Sequence, residues 1–311
     1  MTRHAYTAAM VFDGISLKAN WAVVVEGGKF FSTGPRAEIP ASVEVTDFGP
    51  GTLAPGFVDL QVNGGGGVLL NDTPTVDGVK AIAAAHRRFG TTSLLPTVVT
   101  DWTDVMASAV DAVRKAKAQG VPGVLGIHVE GPFLDLARRG AHPPEHVRAF
   151  TEADFNWLDP RGLGTLLLTV SPRAVPPDVI HNLVARGIIV SLGHSDATFE
   201  EATAALKAGA RAFTHLFNAM SQLGGRAPGM VGAALADQSS YAGLIADGHH
   251  VDPAAIRVAL NAKSNGRLFL VSDAMPTAAG GPDHFHLQGR RVERRNGRLT
   301  LADGTLATLP A

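Results

Sequence analysis

From residue 56 onward the chain repeats one pattern: a short apolar run, a cluster of small and polar residues, then a longer segment with helical periodicity. The apolar runs cover residues 56–62, 92–99, 124–130, 165–170, 188–194, 212–215, 241–246 and 268–273. Uninterrupted apolar runs this short, bounded by turn residues, predict strands buried on both faces, as in a parallel sheet. Several intervening segments carry helix signals. Asp101 can cap a helix running to about Ala118. Thr198-Phe-Glu-Glu201 is a capping-box pattern, with Gly209 as a stop beyond Ala208. Asp252-Pro253 sets a capping residue before a proline suited to the first helical turn. Eight buried strands, each feeding a crossover, predict an α/β fold of the (β/α)₈ TIM-barrel type. A doubly wound open sheet competes. The strand count, and polar residues gathered just past the strand ends, favour the barrel.

The pattern differs at both ends of the chain. Residues 1–53 read as short strands and turns of a small β-sandwich-like domain, with strands at 22–26 and 42–46. Residues 54–311 form the barrel domain. Within it, 284–288 and 291–301 read as a β-hairpin turning at Asn296-Gly297.

Composition narrows the chemistry. The chain has 311 residues, 45% apolar, with 27 basic against 28 acidic side chains, a formal charge of -1. This balance predicts no nucleic-acid surface and no polybasic membrane anchor. No apolar run approaches a membrane span, and no leader-like stretch opens the chain, so a cytoplasmic location is expected. There is no cysteine, which removes disulfides, thiolate ligands and a cysteine nucleophile. A metal must therefore bind through histidine and carboxylate.

Four residues close predicted strands. Glu130 ends Gly126-Ile-His-Val-Glu130. Taken alone it reads equally well as a salt-bridged strand-end glutamate. His194 ends the run at 188–194 and His215 the run at 212–215. A lone histidine there is more simply a satisfied core residue. Together, however, three potential ligands end three strands, and barrel strand ends converge. Two histidines and a carboxylate, with a fourth position open, make a catalytic zinc set. Asp273 ends the eighth run. It could be a turn aspartate; beside a metal it could exchange protons with water and a leaving amine. Arg226, between glycines and a proline, suits a phosphate, although a solvated loop arginine is the simpler reading. Asn63-Gly-Gly-Gly-Gly67 lacks P-loop spacing and reads as a flexible turn.

Pro55-Gly-Phe-Val-Asp59 resembles the entry segment of the amidohydrolase superfamily, with Gln61 and Asn63 in place of its frequent His-x-His. An amide is a weak ligand, so one tightly held metal is expected rather than two. Together with Gly126-Ile-His-Val-Glu-Gly-Pro-Phe133, Gly140-Ala-His142, Leu192-Gly-His-Ser-Asp-Ala197, Thr214-His-Leu-Phe-Asn-Ala-Met220, Ala246-Asp-Gly-His-His250 and Ser272-Asp-Ala274, the chain resembles the N-acetylglucosamine-6-phosphate deacetylases along almost its whole length. The resemblance implies Glu130, His194 and His215 as ligands of one divalent metal. Zn²⁺ is favoured, but Fe²⁺, Co²⁺ and Mn²⁺ also suit such a set. It implies Asp273 as general acid/base and His142 as the group polarising the amide carbonyl. Ala141, Asn218, Ala219, Asp247 and Leu306 would contact the sugar, and Arg226 and His250 its phosphate. The expected reaction is hydrolysis of the acetamido group of N-acetyl-D-glucosamine 6-phosphate. A deacetylase of another N-acetyl amino sugar, or an inactive remnant, are the alternatives. The resembled family continues past Gly304-Thr-Leu-Ala307, so its final helices and last β-domain strands are expected to be absent here. A homodimer is expected if the fold is complete.

Overall fold

The computed structural model describes residues 2–264 and 266–308, the last three by backbone alone. It divides into two units, Met1–Phe57 and Val58–Ala311. In the first, Arg3–Thr7 pairs antiparallel with Trp21–Glu26 and parallel with Glu44–Asp47, and Lys29–Pro35 extends this sheet at one edge. A second sheet joins Leu17–Ala19, Met10–Phe12 and Thr52–Leu53. Alternation along Arg3–Thr7 and Trp21–Glu26 turns Ala5, Ala22 and Val24 inward.

The second unit is a nearly closed barrel of eight parallel strands, a TIM-barrel fold. Its strands are β1 (Phe57–Val62), β2 (Thr91–Val99), β3 (Gly126–Glu130), β4 (Thr165–Val170), β5 (Ile189–Leu192), β6 (Ala212–Phe213), β7 (Tyr241–Leu244) and β8 (Leu268–Leu270). Each pairs with its sequence neighbour. A single parallel bridge, Val62 to Ala274, links the two ends of the sheet. The helices are α1 (Val76–Arg87), α2 (Thr103–Ala118), α3 (Pro177–Ala185), α4 (Phe199–Lys207), α5 (Gly229–Ala236) and α6 (Pro253–Ala262). Leu166 and Leu168 of β4, Ile127 and Val129 of β3 and Val190 of β5 are buried with Val110 and Val113 of α2 and Ile180 and Leu183 of α3 in one core. Burying such side chains contributes about 1.5–3 kcal/mol each.

The capping signals behave as their chemistry requires. Thr198 Oγ1 accepts from the Glu201 amide at 3.2 Å, and Glu201 Oε2 accepts from the Thr198 amide at 2.8 Å. Asp252 caps α6 by accepting from the Ala254 amide. Asp101 does not cap α2. That helix begins at Thr103 after Trp102, and Asp101 accepts from the Trp102 amide just ahead of it.

Two segments depart from the sequence expectation. Residues 284–301 form a meander rather than one hairpin: β9 (His284–Leu287), β10 (Arg290–Arg295) and β11 (Arg298–Leu301), followed by β12 (Leu306–Thr308). A second two-residue turn, Gln288-Gly289, has both residues at positive φ, as has Asn296-Gly297. The pattern read past it because glutamine is not a usual left-handed residue. The meander has its own small core, where Phe285, Leu287, Val292, Leu299 and Leu301 meet Leu69, Val99 and Met275. The Asn63–Gly67 segment is a tight two-stranded turn, Gly64–Gly65 against Val68–Leu69. A Cβ on Gly64 would run into the Val68 carbonyl, which is why glycine stands there.

Candidate active site

The apolar runs at 188–194, 212–215 and 268–273 outlast their strands. The ladders stop at Leu192, Phe213 and Leu270, and His194, His215 and Asp273 take left-handed backbone, with φ of 45°, 32° and 51°. Such a conformation costs about 1–3 kcal/mol outside glycine and is concentrated at functional sites. Here it lifts three side chains out of the sheet at the C-terminal mouth of the barrel.

Glu130 joins them from the end of β3, and all four residues are buried. His194 Nε2 lies 3.1 Å and His215 Nε2 3.0 Å from Glu130 Oε1, and the two histidine nitrogens are 3.0 Å apart. A tetrahedral ion about 2.0–2.1 Å from each atom would hold its ligands about 3.3 Å apart, so this triangle fits a metal after a shift of a few tenths of an ångström. His194 Nδ1 donates to the Arg138 carbonyl at 3.0 Å, which turns Nε2 toward the cluster as the nitrogen that would hold a metal. This His₂Glu set is the one such cluster among the described residues.

Asp273 faces Glu130 through an amide. Gln61 Nε2 donates to Glu130 Oε1 at 3.1 Å and to Asp273 Oδ1 at 3.0 Å, and Asn63 Nδ2 donates to the same Asp273 oxygen at 2.7 Å. The residues standing in the His-x-His positions thus donate to the two carboxylates. Electrostatics separates the two acids. Burial pushes Asp273 well above the usual carboxylate range, and the Glu130 charge pushes further in that direction. Burial acts on Glu130 too, but hydrogen bonds and charge from His194 and His215 outweigh it and hold its carboxyl well below that range. His142 is depressed to about 3, mainly by burial and then by the neighbouring His194, whose ring centroid lies 4.5 Å away.

Asn63, Glu130, His194, His215 and Asp273 line a cavity of about 360 Å³. Ala141, His142, Asn218, Ala219 and His250 line it as well. Two other residues expected at the site, Asp247 and Arg226, lie outside the cavity wall. Asp247 lies behind His250: its Oδ1 accepts from the His249 and His250 amides, and its Oδ2 is 2.8 Å from His250 Nδ1. Arg226 is exposed on the loop before α5, outside the cavity wall, with no hydrogen bond or ion pair among the described residues. Leu306 opens β12, and its side chain lies outside the described residues. The structure adds Leu287, Gln288, Ile245 and Met275 to the wall. No sequence signal marked the first two, because they reach the site from the meander rather than from a strand end. A larger cavity of about 730 Å³ fills the opposite, N-terminal end of the barrel. Its walls are mostly apolar, and it meets the site only through Gln61 and His215.

No helix among the described residues is long and apolar enough to cross a membrane. Residues 52–304 match the amidohydrolase family. The chain is 47% identical over 257 residues to an N-acetylgalactosamine-6-phosphate deacetylase of Shewanella sp. (strain ANA-3), a match covering 83% of this chain and 65% of that protein. It is 33% identical over 308 residues to the N-acetylglucosamine-6-phosphate deacetylase of Haemophilus influenzae, across 98% of this chain and 80% of the relative. The crystal structure of the Pasteurella multocida N-acetylglucosamine-6-phosphate deacetylase superposes with a TM-score of 0.94 at 35% identity, covering 99% of this chain and 81% of that one. The chain thus spans about two thirds to four fifths of these relatives, and it belongs to the amidohydrolase family, in its N-acetylhexosamine-6-phosphate deacetylase branch.

Proposed function

We propose that this chain hydrolyses the acetamido group of N-acetyl-D-glucosamine 6-phosphate to D-glucosamine 6-phosphate and acetate, with one divalent metal held by Glu130, His194 and His215. The observation that carries this reading is the pairing of a buried His₂Glu triangle with a desolvated carboxyl, Asp273, across one amide bridge. A bound divalent cation would polarise the acetyl carbonyl and make a coordinated water acidic. Zn²⁺ suits the donors, and Fe²⁺, Co²⁺ or Mn²⁺ would also be accepted.

The chain's own residues supply the rest. Asp273 Oδ1 is occupied by two amide donors, so Oδ2 is the oxygen that takes a proton from the attacking water and returns it to the departing nitrogen. Its raised affinity for protons suits it to take that proton and hold it until the nitrogen departs. His142, neutral at neutral pH, donates an N–H to the carbonyl oxygen as negative charge develops there. Asn218 and the backbone at Ala141 and Ala219 frame the sugar. His250, oriented by Asp247, holds the phosphate, and Arg226 would join it by a movement of its exposed loop over the cavity. As in the resembled family, a homodimer is the expected assembly.

A second reading, N-acetylgalactosamine 6-phosphate as the substrate, is favoured by the 47% identity to the Shewanella enzyme. The test is acetate release from both sugar phosphates and from their unphosphorylated forms. The proposal expects turnover of the glucosamine derivative, with the phosphate raising kcat/KM. Preference for the galactosamine derivative selects the second reading, and turnover of neither sugar phosphate rejects both.

A further inference from the structure

The tip of the meander enters the cavity at the Gln288-Gly289 turn. Gln288 is held there from one side only. Its Nε2 donates to the Thr100 carbonyl and to Asp101 Oδ2 at 3.1 Å. Asp101 is fixed in turn by Asn71, whose Nδ2 donates to the same carboxylate oxygen at 2.9 Å. Both partners of the Gln288 nitrogen are acceptors only, so the amide cannot flip without breaking both bonds. This leaves Oε1 as the free acceptor, and it is buried with no donor among the described residues. Two further bonds tie the meander to the mouth. Arg290 donates to the Ala141 carbonyl, next to His142, and Arg298 Nε lies 3.4 Å from His249 Nδ1, next to His250. The tip is therefore anchored at the end of β2, at the His142 loop and at the loop bearing His250.

An unpartnered buried carbonyl costs free energy until a donor reaches it. With the acetamido group at the His₂Glu cluster and the phosphate at His250, the ring spans the gap between them, and the edge carrying the 3- and 4-hydroxyls is one of the two it can turn to the meander. We propose that Gln288 is a specificity-determining residue of this site, its Oε1 accepting a hydrogen bond from one of these ring hydroxyls. The proposal rests on the hexosamine-phosphate reading above. A preorganised acceptor discriminates well against a substrate that lacks or misplaces its donor, because the acceptor is then left unpaired. Gln288 would accordingly contribute to the choice between the two C4 epimers if its partner is the 4-hydroxyl, and to neither if it is the 3-hydroxyl.

The experiment measures kcat/KM of the metal-loaded chain on N-acetylglucosamine 6-phosphate, its C4 epimer, and the 3-deoxy and 4-deoxy analogues of the preferred substrate. Wild type is compared with Gln288→Met, which keeps the length of the side chain and removes its polar atoms. Wild type should lose roughly 3–20-fold on one of the two deoxy analogues, the range of a neutral hydrogen bond. Gln288→Met should lose a similar factor on the parent sugar and nothing further on that analogue. The wild-type comparison needs no variant, so poor folding of Gln288→Met cannot mask the answer: full wild-type activity on both deoxy analogues overturns the proposal. So does an equal loss by Gln288→Met on every substrate, which would make Gln288 a brace for the Thr100 backbone. In either case the wild type still turns over the parent sugar, and the deacetylase reading stands. A wild type inactive on all hexosamine phosphates removes both.

Discussion

The two ends of the barrel are built from the same eight strands and have opposite characters. At the N-terminal end, Leu60, Leu125, Leu167, Ile189, Phe213 and Phe269 surround a largely apolar space, and all of them but Leu125 lie in regular strands. At the C-terminal end, Glu130, His194 and His215 are buried within hydrogen-bonding reach of one another and buried Asp273 joins them through Gln61, with three of the four on left-handed backbone. One end gains stability from every contact. The other holds desolvated charge and strained torsions that only function explains. Substitutions at the two ends should therefore fail in different ways.

The largest separation is expected at Asp273. Asp273→Asn should retain metal and lose turnover by about 10²–10⁴-fold, while its melting temperature stays equal or rises, because a desolvated acid beside Glu130 has been removed. Metal content, kcat and thermal unfolding measured on one preparation decide this; near-normal kcat would take Asp273 out of the chemistry. At the apolar end, Phe213→Ala should cost about 3–5 kcal/mol of stability. Chemical denaturation gives that figure, and a loss below about 1 kcal/mol would mean that the space around Phe213 collapses without cost. Phe213 lies two residues before His215, so weakened metal binding is expected as a secondary effect.

Smaller effects come from the loops. Arg226→Ala should lower kcat/KM on the phosphorylated sugar by about 10–150-fold, the worth of a charge-assisted contact, and spare the unphosphorylated sugar. An equal loss on both would assign Arg226 to the fold. Asp154 anchors the long connection that carries His142. It accepts from both terminal nitrogens of Arg148, the indole of Trp157, and the backbone and hydroxyl of Thr151. Burial pushes its carboxyl upward, but these bonds outweigh that and leave it below the usual range. A folded-state value below the unfolded one adds stability above the unfolded pKa of about 4, and this is lost as pH falls through the folded value. Asp154→Asn should therefore be less stable than wild type by about 1–3 kcal/mol at pH 7, with the gap closing under acid conditions. A gap independent of pH would show that the charge of Asp154 does not matter.

The contrast between the ends also explains what could be read in advance. Continuous apolar runs announced every barrel strand, because strands buried on both faces leave no alternation to confuse with anything else. The same runs ended on Glu130, His194, His215 and Asp273, and the fold brings those four together. The amides were harder to place. Gln61 and Asn63 appeared only as substitutes for metal ligands, and their bridging of Glu130 and Asp273 depends on three strands converging. Asp247 was expected against the sugar; the local turn Asp247–His250 sets its carboxylate on the amide and ring of His250. Gln288 was invisible for a different reason. Its contacts are with residues about 190 positions away, and no local periodicity encodes a meander folding back over a barrel mouth.

A titration of the metal-free chain with Zn²⁺, followed by both acetate release from N-acetylglucosamine 6-phosphate and bound metal, tests the site most directly. Acetate release should rise in proportion to bound metal and level off at about one ion per chain, and Glu130→Gln should abolish both tight binding and turnover. Activity in the chelated chain, a requirement for two tightly held ions, or undiminished binding in Glu130→Gln would contradict a single catalytic metal held by Glu130, His194 and His215.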